Sequence, residues 1–132
     1  MNDRHIYRGK RVDNGEWAYG CHSYSGDGRH TIDVINNLDE YEEMHVIDPA
    51  TLGQCTGLPD CNKKLIFEGD ICRIQDYECN YVVEWIGAAW FLIIKDSDFD
   101  NEWLYQYAEE CFIIGNIHDN PELLREGENG ET

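Results

Sequence analysis

The chain has 132 residues, of which 42% are apolar and 12% aromatic, and a formal net charge of −17 from ten Lys and Arg against twenty-seven Asp and Glu. This length supports one compact domain, or two small lobes, with a packed interior that needs neither disulfides nor metals. The charge disfavours a direct grip on nucleic acid by a basic surface, because neutralising phosphates takes clustered cations. The acidity is also lopsided: residues 1–66 carry seven basic and eleven acidic side chains (net −4), whereas residues 67–132 carry three and sixteen (net −13).

In chain order, MNDRHIYRGKRV places charges where a secretory signal needs an apolar core, and no later run is apolar enough to span a bilayer. A cytoplasmic setting follows as an expectation, with the six cysteines at 21, 55, 61, 72, 79 and 111 as reduced thiols, mostly buried or idle. Asp13-Asn14-Gly15 separates two strand-like runs, and Asn-Gly suits a tight turn because both residues accept positive φ. Paired strands over 8–12 and 16–24 are predicted, followed by a loop at SYSGDGRH and a short strand at HTIDVINN. LDEYEEMHVID has no clean period and reads equally as a helix surface or an exposed edge. Asp48-Pro49 has the form of a helix start, a capping aspartate before a first-turn proline, and predicts about a turn of helix through Leu52.

The stretch TGLPDCNKKLIFEGDI, residues 56–71, reads as turns around one strand. Gly57 permits a positive φ, and Leu58-Pro59-Asp60 sets a turn. Leu65, Ile66 and Phe67 make a buried strand. Gly69 again turns the chain between Glu68 and Asp70, where Asp70 can accept hydrogen bonds from nearby amides. Glu68 and Asp70 are poor candidates for a catalytic carboxylate pair, which would need them together in a cleft with separated pKa values. Beyond this point a β meander is predicted: ICRIQDYE, YVVEWIGA, AWFLIIK, EWLYQYAEE and CFIIGNI, curling into a small barrel that removes open edges. A short helix starting at Pro121 in DNPELLRE and a frayed tail, EGENGET, complete the chain.

This stretch resembles the YopX-like family of phage and prophage proteins, whose usual form is a TGL-D-KNGK-I-EGDIV run. The resemblance extends to RGKRVDNGEWAYG, IDPATLGQ, VVEW and FIIGNIHDNPELL, in family order and over nearly the whole chain. Two positions depart from the family pattern: Lys63 stands where a glycine is common and Cys61 where a lysine is common, so Asn62 is expected to hold the turn by accepting left-handed geometry. The resemblance implies a β-rich protein whose second half is SH3-like, and it carries no catalytic residue onto this chain. The structural positions of the motifs are then Gly57, Pro59, Asn62, Glu68, Gly69, Asp70, Gly115 and Pro121.

The expected fold is mostly β: an N-terminal β-hairpin lobe (1–64), a C-terminal antiparallel SH3-like barrel (65–119), and a short helix with tail (120–132), giving two short helices in all. Asp96, Asp98 and Asp100 have the spacing of the first three ligands of a calcium loop, yet Tyr107 stands where the closing glutamate belongs. The cysteine spacings, Cys55 to Cys61 and Cys72 to Cys79, are too wide for ordinary zinc pairs, and Cys21-His22 is adjacent on a strand. No metal, no cofactor and no catalytic residue is assigned. Trp85, Trp90, Trp103, Tyr105 and Tyr107 enrich the second half in aromatics, most of them expected in the core.

The composite reading is a non-enzymatic phage accessory protein that binds a protein partner, a basic one fitting the charge, through Asp96, Asp98, Asp100, Glu102, Trp90 and Trp103. The alternatives are a nucleic-acid-associated module, with free nucleic acid disfavoured by the charge, and a homo-oligomeric structural protein. A pocket joining Glu68 or Glu84 to a histidine or metal would instead indicate an enzyme.

Overall fold

The computed structural model describes residues 6–35, 41–94 and 101–124. It is strand-rich, with two antiparallel sheets, and it divides into two compact units, Met1–Gly57 and Leu58–Thr132.

In the first unit, β1 (Tyr7–Arg11) and β2 (Trp17–Tyr24) form the hairpin that Asn14-Gly15 predicts, with Tyr7 opposite Gly20 and Lys10 opposite Trp17. At the turn, the Asn14 side-chain oxygen accepts from the Glu16 amide at 2.9 Å. Strand β3 (His30–Ile35) pairs with β2 and with β4 (Tyr41–Pro59), and β4 returns to pair with β1. Each of β1 to β4 is therefore hydrogen-bonded to two others of the four, with β2 meeting β1 through Trp17–Gly20 and β3 through Cys21–Tyr24. Ala18, Ile32 and Ile47 form the buried centre, with Tyr7 and Leu52 packed against it.

The helix predicted after Asp48-Pro49 does not form; those residues belong to β4. Asp48 does accept from the Ala50 amide at 3.0 Å, as a capping residue would, but the freed geometry makes a bulge. The register passes from Arg8 opposite Gly53 to Lys10 opposite Asp48, so Gly9 alone spans residues 49–52. Thr51 stitches the bulge, its hydroxyl donating to the Asp48 carbonyl at 2.6 Å and accepting from the Lys10 amide at 2.8 Å. Local capping chemistry is satisfied, and cross-strand pairing decides the outcome.

In the second unit, β4 is joined through residues 60–64 to β5 (Leu65–Phe67), with which it pairs. The turn lies later than Leu58-Pro59-Asp60, since Leu58 and Pro59 complete β4. Its left-handed residue is Lys63, at φ 69°, and not Asn62. A glycine would meet the same geometry more easily, because a Cβ is disfavoured there. Gly57 and Gly69 take positive φ, 84° and 89°, as the motif predicts.

The second sheet has the order β10-β6-β7-β8-β9, from β6 (Asp70–Ile74), β7 (Tyr81–Ile86), β8 (Ala89–Ile93), β9 (Glu102–Trp103) and β10 (Cys111–Asn116). EWLYQYAEE, expected as a strand, extends for only two residues before turning into α1 (Leu104–Tyr107) and a 3-10 turn over Ala108–Glu110. Leu104 and Ala108, four residues apart, are both buried while Gln106 between them is exposed; a helical turn achieves this, whereas a strand would put all three on one face. The short helix at Pro121 is a 3-10 turn, Pro121–Leu124. Ile66, Cys72, Ile74, Tyr81, Val83, Leu92, Leu104, Ala108 and Cys111 form this unit's core.

Two carboxylates tie the motif together. Asp70, 2% exposed, accepts from the Phe67 amide at 2.7 Å, as its place after Gly69 suggests. Asp60, 4% exposed, accepts from the amides of Asn62 (2.8 Å), Lys64 (3.0 Å) and, from β10, Ile113 (3.1 Å). Nothing in the local sequence points to that last bond, which joins residues 53 apart.

Candidate functional site

The meander places aromatic side chains at one end of the β7–β8 hairpin, where Trp85 is directly opposite Trp90 with ring centroids 5.0 Å apart. Trp90 packs against the core, while Trp85 is 51% exposed. Trp103 is 53% exposed and lies against Phe91, centroids 4.7 Å apart across the β8–β9 pair. Tyr105 is exposed and Tyr107 half-buried. Trp85, Trp103 and Tyr105 are therefore outside the core, at the end of β7, in β9 and in α1, while Trp90 and Tyr107 pack against it. Tyr107 has its phenol pushed up to about 12, chiefly by a hydrogen bond with Tyr77, with Glu102 and Glu110 adding to it.

Of the residues expected to meet a partner, Glu102 is half-buried in β9 beside Trp103, and Trp90 and Trp103 lie on the same hairpin system. Asp96, Asp98 and Asp100 lie outside the described residues. Among the described residues there is no group of three or more His, Cys, Asp or Glu placed to hold a metal ion.

A different cluster does come together. A cleft of about 260 Å³ is lined by Glu68, Gly69, Val82, Val83, Glu84, Trp85 and Ile117. Glu68 comes from the turn after β5, Glu84 and Trp85 from β7, and Ile117 from the end of β10. Backbone bonds hold these three segments in place: the Gly69 amide donates to Val83 O and the Ile117 amide to Gly69 O, both at 2.9 Å. The cleft thus joins two carboxylates, an exposed indole and apolar walls, without a Lys, Arg or His among its lining residues. Glu68 and Asp70 go to different places, one to the cleft and one into the core. Residues 68, 84 and 117 are too far apart in sequence for any motif to announce the cluster.

The first unit carries two other polar features. A cleft of about 480 Å³ is lined by Arg11, Val12, Asp13, Glu43, Met44, His45 and Val46, and its polar side chains pair with each other, Arg11 with Asp13 at 2.8 Å and His45 with Glu43 at 2.7 Å. On the β2–β3 pair, His22 Nε2 and His30 Nδ1 are 2.9 Å apart with nearly parallel rings, flanked by Tyr7 and Tyr24. Burial and the neighbouring His30 hold the His22 imidazole below its ordinary pKa.

The cysteines are all free: Cys55, Cys72 and Cys111 are buried, Cys21 and Cys79 half-buried, and Cys61 exposed. A hydrogen bond with Cys111, together with burial, pushes the Cys72 thiol well up and keeps it protonated. No helix among the described residues is long and apolar enough to cross a membrane.

No curated protein matches the chain at a significant level. The family described as YopX protein matches over residues 6–125, which takes in the hairpin, the turn motif, the cleft and the final strand, and this protein belongs to that family.

Proposed function

We propose that this protein is a non-enzymatic accessory protein of a phage or prophage, acting in the bacterial cytoplasm by binding a protein partner through an acidic, aromatic-bearing surface of its second unit. The observation that carries the reading is the cleft where Glu68 and Glu84 flank exposed Trp85. Interfaces are anchored by aromatic side chains of this kind, with charge selecting the partner. The strand order β10-β6-β7-β8-β9, with a short helical segment before the last strand, supports an SH3-like barrel as the scaffold. The net charge of −17 favours a basic partner over nucleic acid.

The test is affinity capture of the tagged protein from a phage-bearing bacterial lysate at about 50 mM and about 500 mM salt, with mass spectrometry of what is retained. A basic protein held at low salt and released at high salt supports the reading, because screening weakens charge-steered contacts over this range. A clear gel shift with free DNA or RNA at low salt overturns it. A second reading, a homo-oligomer, is favoured by the exposed Trp85, Ile86, Trp103 and Tyr105; a concentration-dependent sedimentation coefficient would support that assembly in place of a foreign partner.

A further inference from the structure

We propose that His22 and His30 form a proton-gated latch on the β2–β3 hairpin: a single N–H···N bond closes it while the two imidazoles carry no more than one positive charge between them, and charging both opens the loop at residues 25–29. The latch is separate from the cleft of the second unit and does not depend on the partner reading.

The geometry identifies the contact as a hydrogen bond. His22 lies on β2 opposite Ile32, and His30 on β3 opposite Tyr24, so the two histidines are diagonal neighbours on one face of an antiparallel pair. His22 Nε2 is 2.9 Å from His30 Nδ1, the ring centroids are 5.2 Å apart and the ring planes differ by 7°. The centroid separation exceeds the nitrogen separation by about two ring radii, so the nitrogens meet head-on, as a linear N–H···N bond requires. A shared metal ion would need both lone pairs to converge on a third point, which this approach does not provide.

Proton counting then sets the switch. In the neutral pair each ring carries one N–H, and one of these lies in the bridge. A first added proton goes to an outer nitrogen and leaves the bridge in place as a charge-assisted bond. A second must take the bridging lone pair, after which two N–H groups and two positive charges face each other. Burial and the neighbouring His30 already disfavour charge on His22.

The surroundings offer little to offset that second charge. Tyr7 of β1 and Tyr24 of β2 contact the pair through their rings, and Ile47 of β4 stands opposite His30. His45 of β4, opposite Ile32, is paired with Glu43. Asp33 of β3 is the carboxylate that favours charge on His22, and it already accepts from the Ser23 and Thr31 hydroxyls at 2.8 and 3.2 Å. In the loop, Asp27 is paired with Arg29 at 3.0 Å. Repulsion therefore acts where the loop joins β3, on a closure held by the Ser25 amide to Arg29 O at 2.8 Å and the Gly28 amide to Ser25 O at 3.0 Å.

The experiment follows the imidazole nitrogens of the ¹⁵N-labelled full chain by long-range ¹H–¹⁵N correlation from about pH 8 to about pH 4.5, alongside amide exchange. The expected result is two protonation steps at least about 1 pH unit apart, the second accompanied by a loss of about 10-fold or more in the protection of the Ser25 and Gly28 amides. The Gly15 amide, bonded to Arg11 O in the other turn, should change by less than about 2-fold. In His22→Gln and in His30→Gln the remaining ring should titrate in one step, with loop protection steady within about 2-fold; carboxylates titrating at the acid end are common to all three chains. Two rings that titrate independently, a loop unchanged at the second step, an equal loss in the glutamine variants, or a pair that takes no second proton by about pH 4.5 would overturn the proposal. If either variant fails to fold, the native chain's own two steps and loop protection decide the matter.

Discussion

Asp60→Ala should be the most damaging single substitution in the second unit outside its apolar core. The carboxylate is 4% exposed and accepts three amide bonds of 2.8, 3.0 and 3.1 Å. Hydrogen bonds to a charged group contribute about 1.5–3 kcal/mol each when their loss strands the donor. Asn62 and Lys64 are exposed, so water can reach their amides, and these bonds count for about 0.5–1 kcal/mol apiece. The Ile113 amide is half-buried in β10 and counts for about 2 kcal/mol. The sum is about 3–4 kcal/mol against a typical total of about 5–15 kcal/mol. Asp60→Asn keeps one acceptor oxygen and should cost about half as much. Urea unfolding followed by tryptophan fluorescence reads this directly, since Trp85, Trp90 and Trp103 all lie in the second unit. With m near 1 kcal/mol/M, the Asp60→Ala midpoint should fall by about 3 M at unchanged m. Hydrogen exchange should show the Ile113 amide losing protection. A destabilisation below about 1 kcal/mol, or an Ile113 amide as protected as before, would refute the reasoning.

Lys63→Gly should raise stability by about 0.5–1 kcal/mol in the same urea assay, because it relieves a side chain held at φ 69°. Gly115→Ala should cost about 1–2 kcal/mol, since its Cβ would stand 2.8 Å from Asn120 Cγ; in the G115A/N120A double variant the two losses should sum to less than their separate values. His22 has its folded-state pKa depressed, so its neutral form is the one the fold favours. Its contribution is therefore present above the unfolded value of 6.5 and declines as pH falls through the lower folded value. Thermal unfolding at pH 7.5 and 5.5 should show a loss on acidification that is smaller in His22→Gln. Iodoacetamide should label exposed Cys61 well before buried Cys55, Cys72 and Cys111, as mass spectrometry of the native protein would register.

Local turn chemistry was the most legible part of the chain. Asn14-Gly15 and Gly69-Asp70 announced their turns because the required φ and the hydrogen-bonding side chain lie within three residues of each other. Asp48-Pro49 misled because its local preference is the same in a helix start and in a bulge, and only the pairing of β4 with β1 separates them. EWLYQYAEE misled because alternating aromatics imitate a strand, whereas burial of Leu104 and Ala108 with Gln106 exposed between them is a helical pattern. The turn residue was displaced by one, from Asn62 to Lys63. At the candidate site, acidity and exposed aromatics were legible as composition, and the sequence directed attention to Asp96, Asp98 and Asp100. The assembly of Glu68, Glu84, Trp85 and Ile117 depends on sheet pairing between β6, β7 and β10, which no single segment encodes.

The pairing of β6 with β10, secured by the reach of Asp60 to Ile113, also bears on the order in which the two units mature during synthesis. All four mutually paired strands of the first unit have been translated once residue 59 is made, so that ring can close while the ribosome is still at work. The second sheet lacks its outer strand until residue 116 has emerged, which leaves β6 with an unpaired side and the Asp60 carboxylate without one of its amides until then. A nascent chain stalled before β10 should thus carry a folded, protease-resistant first unit and an open, chaperone-accessible second one.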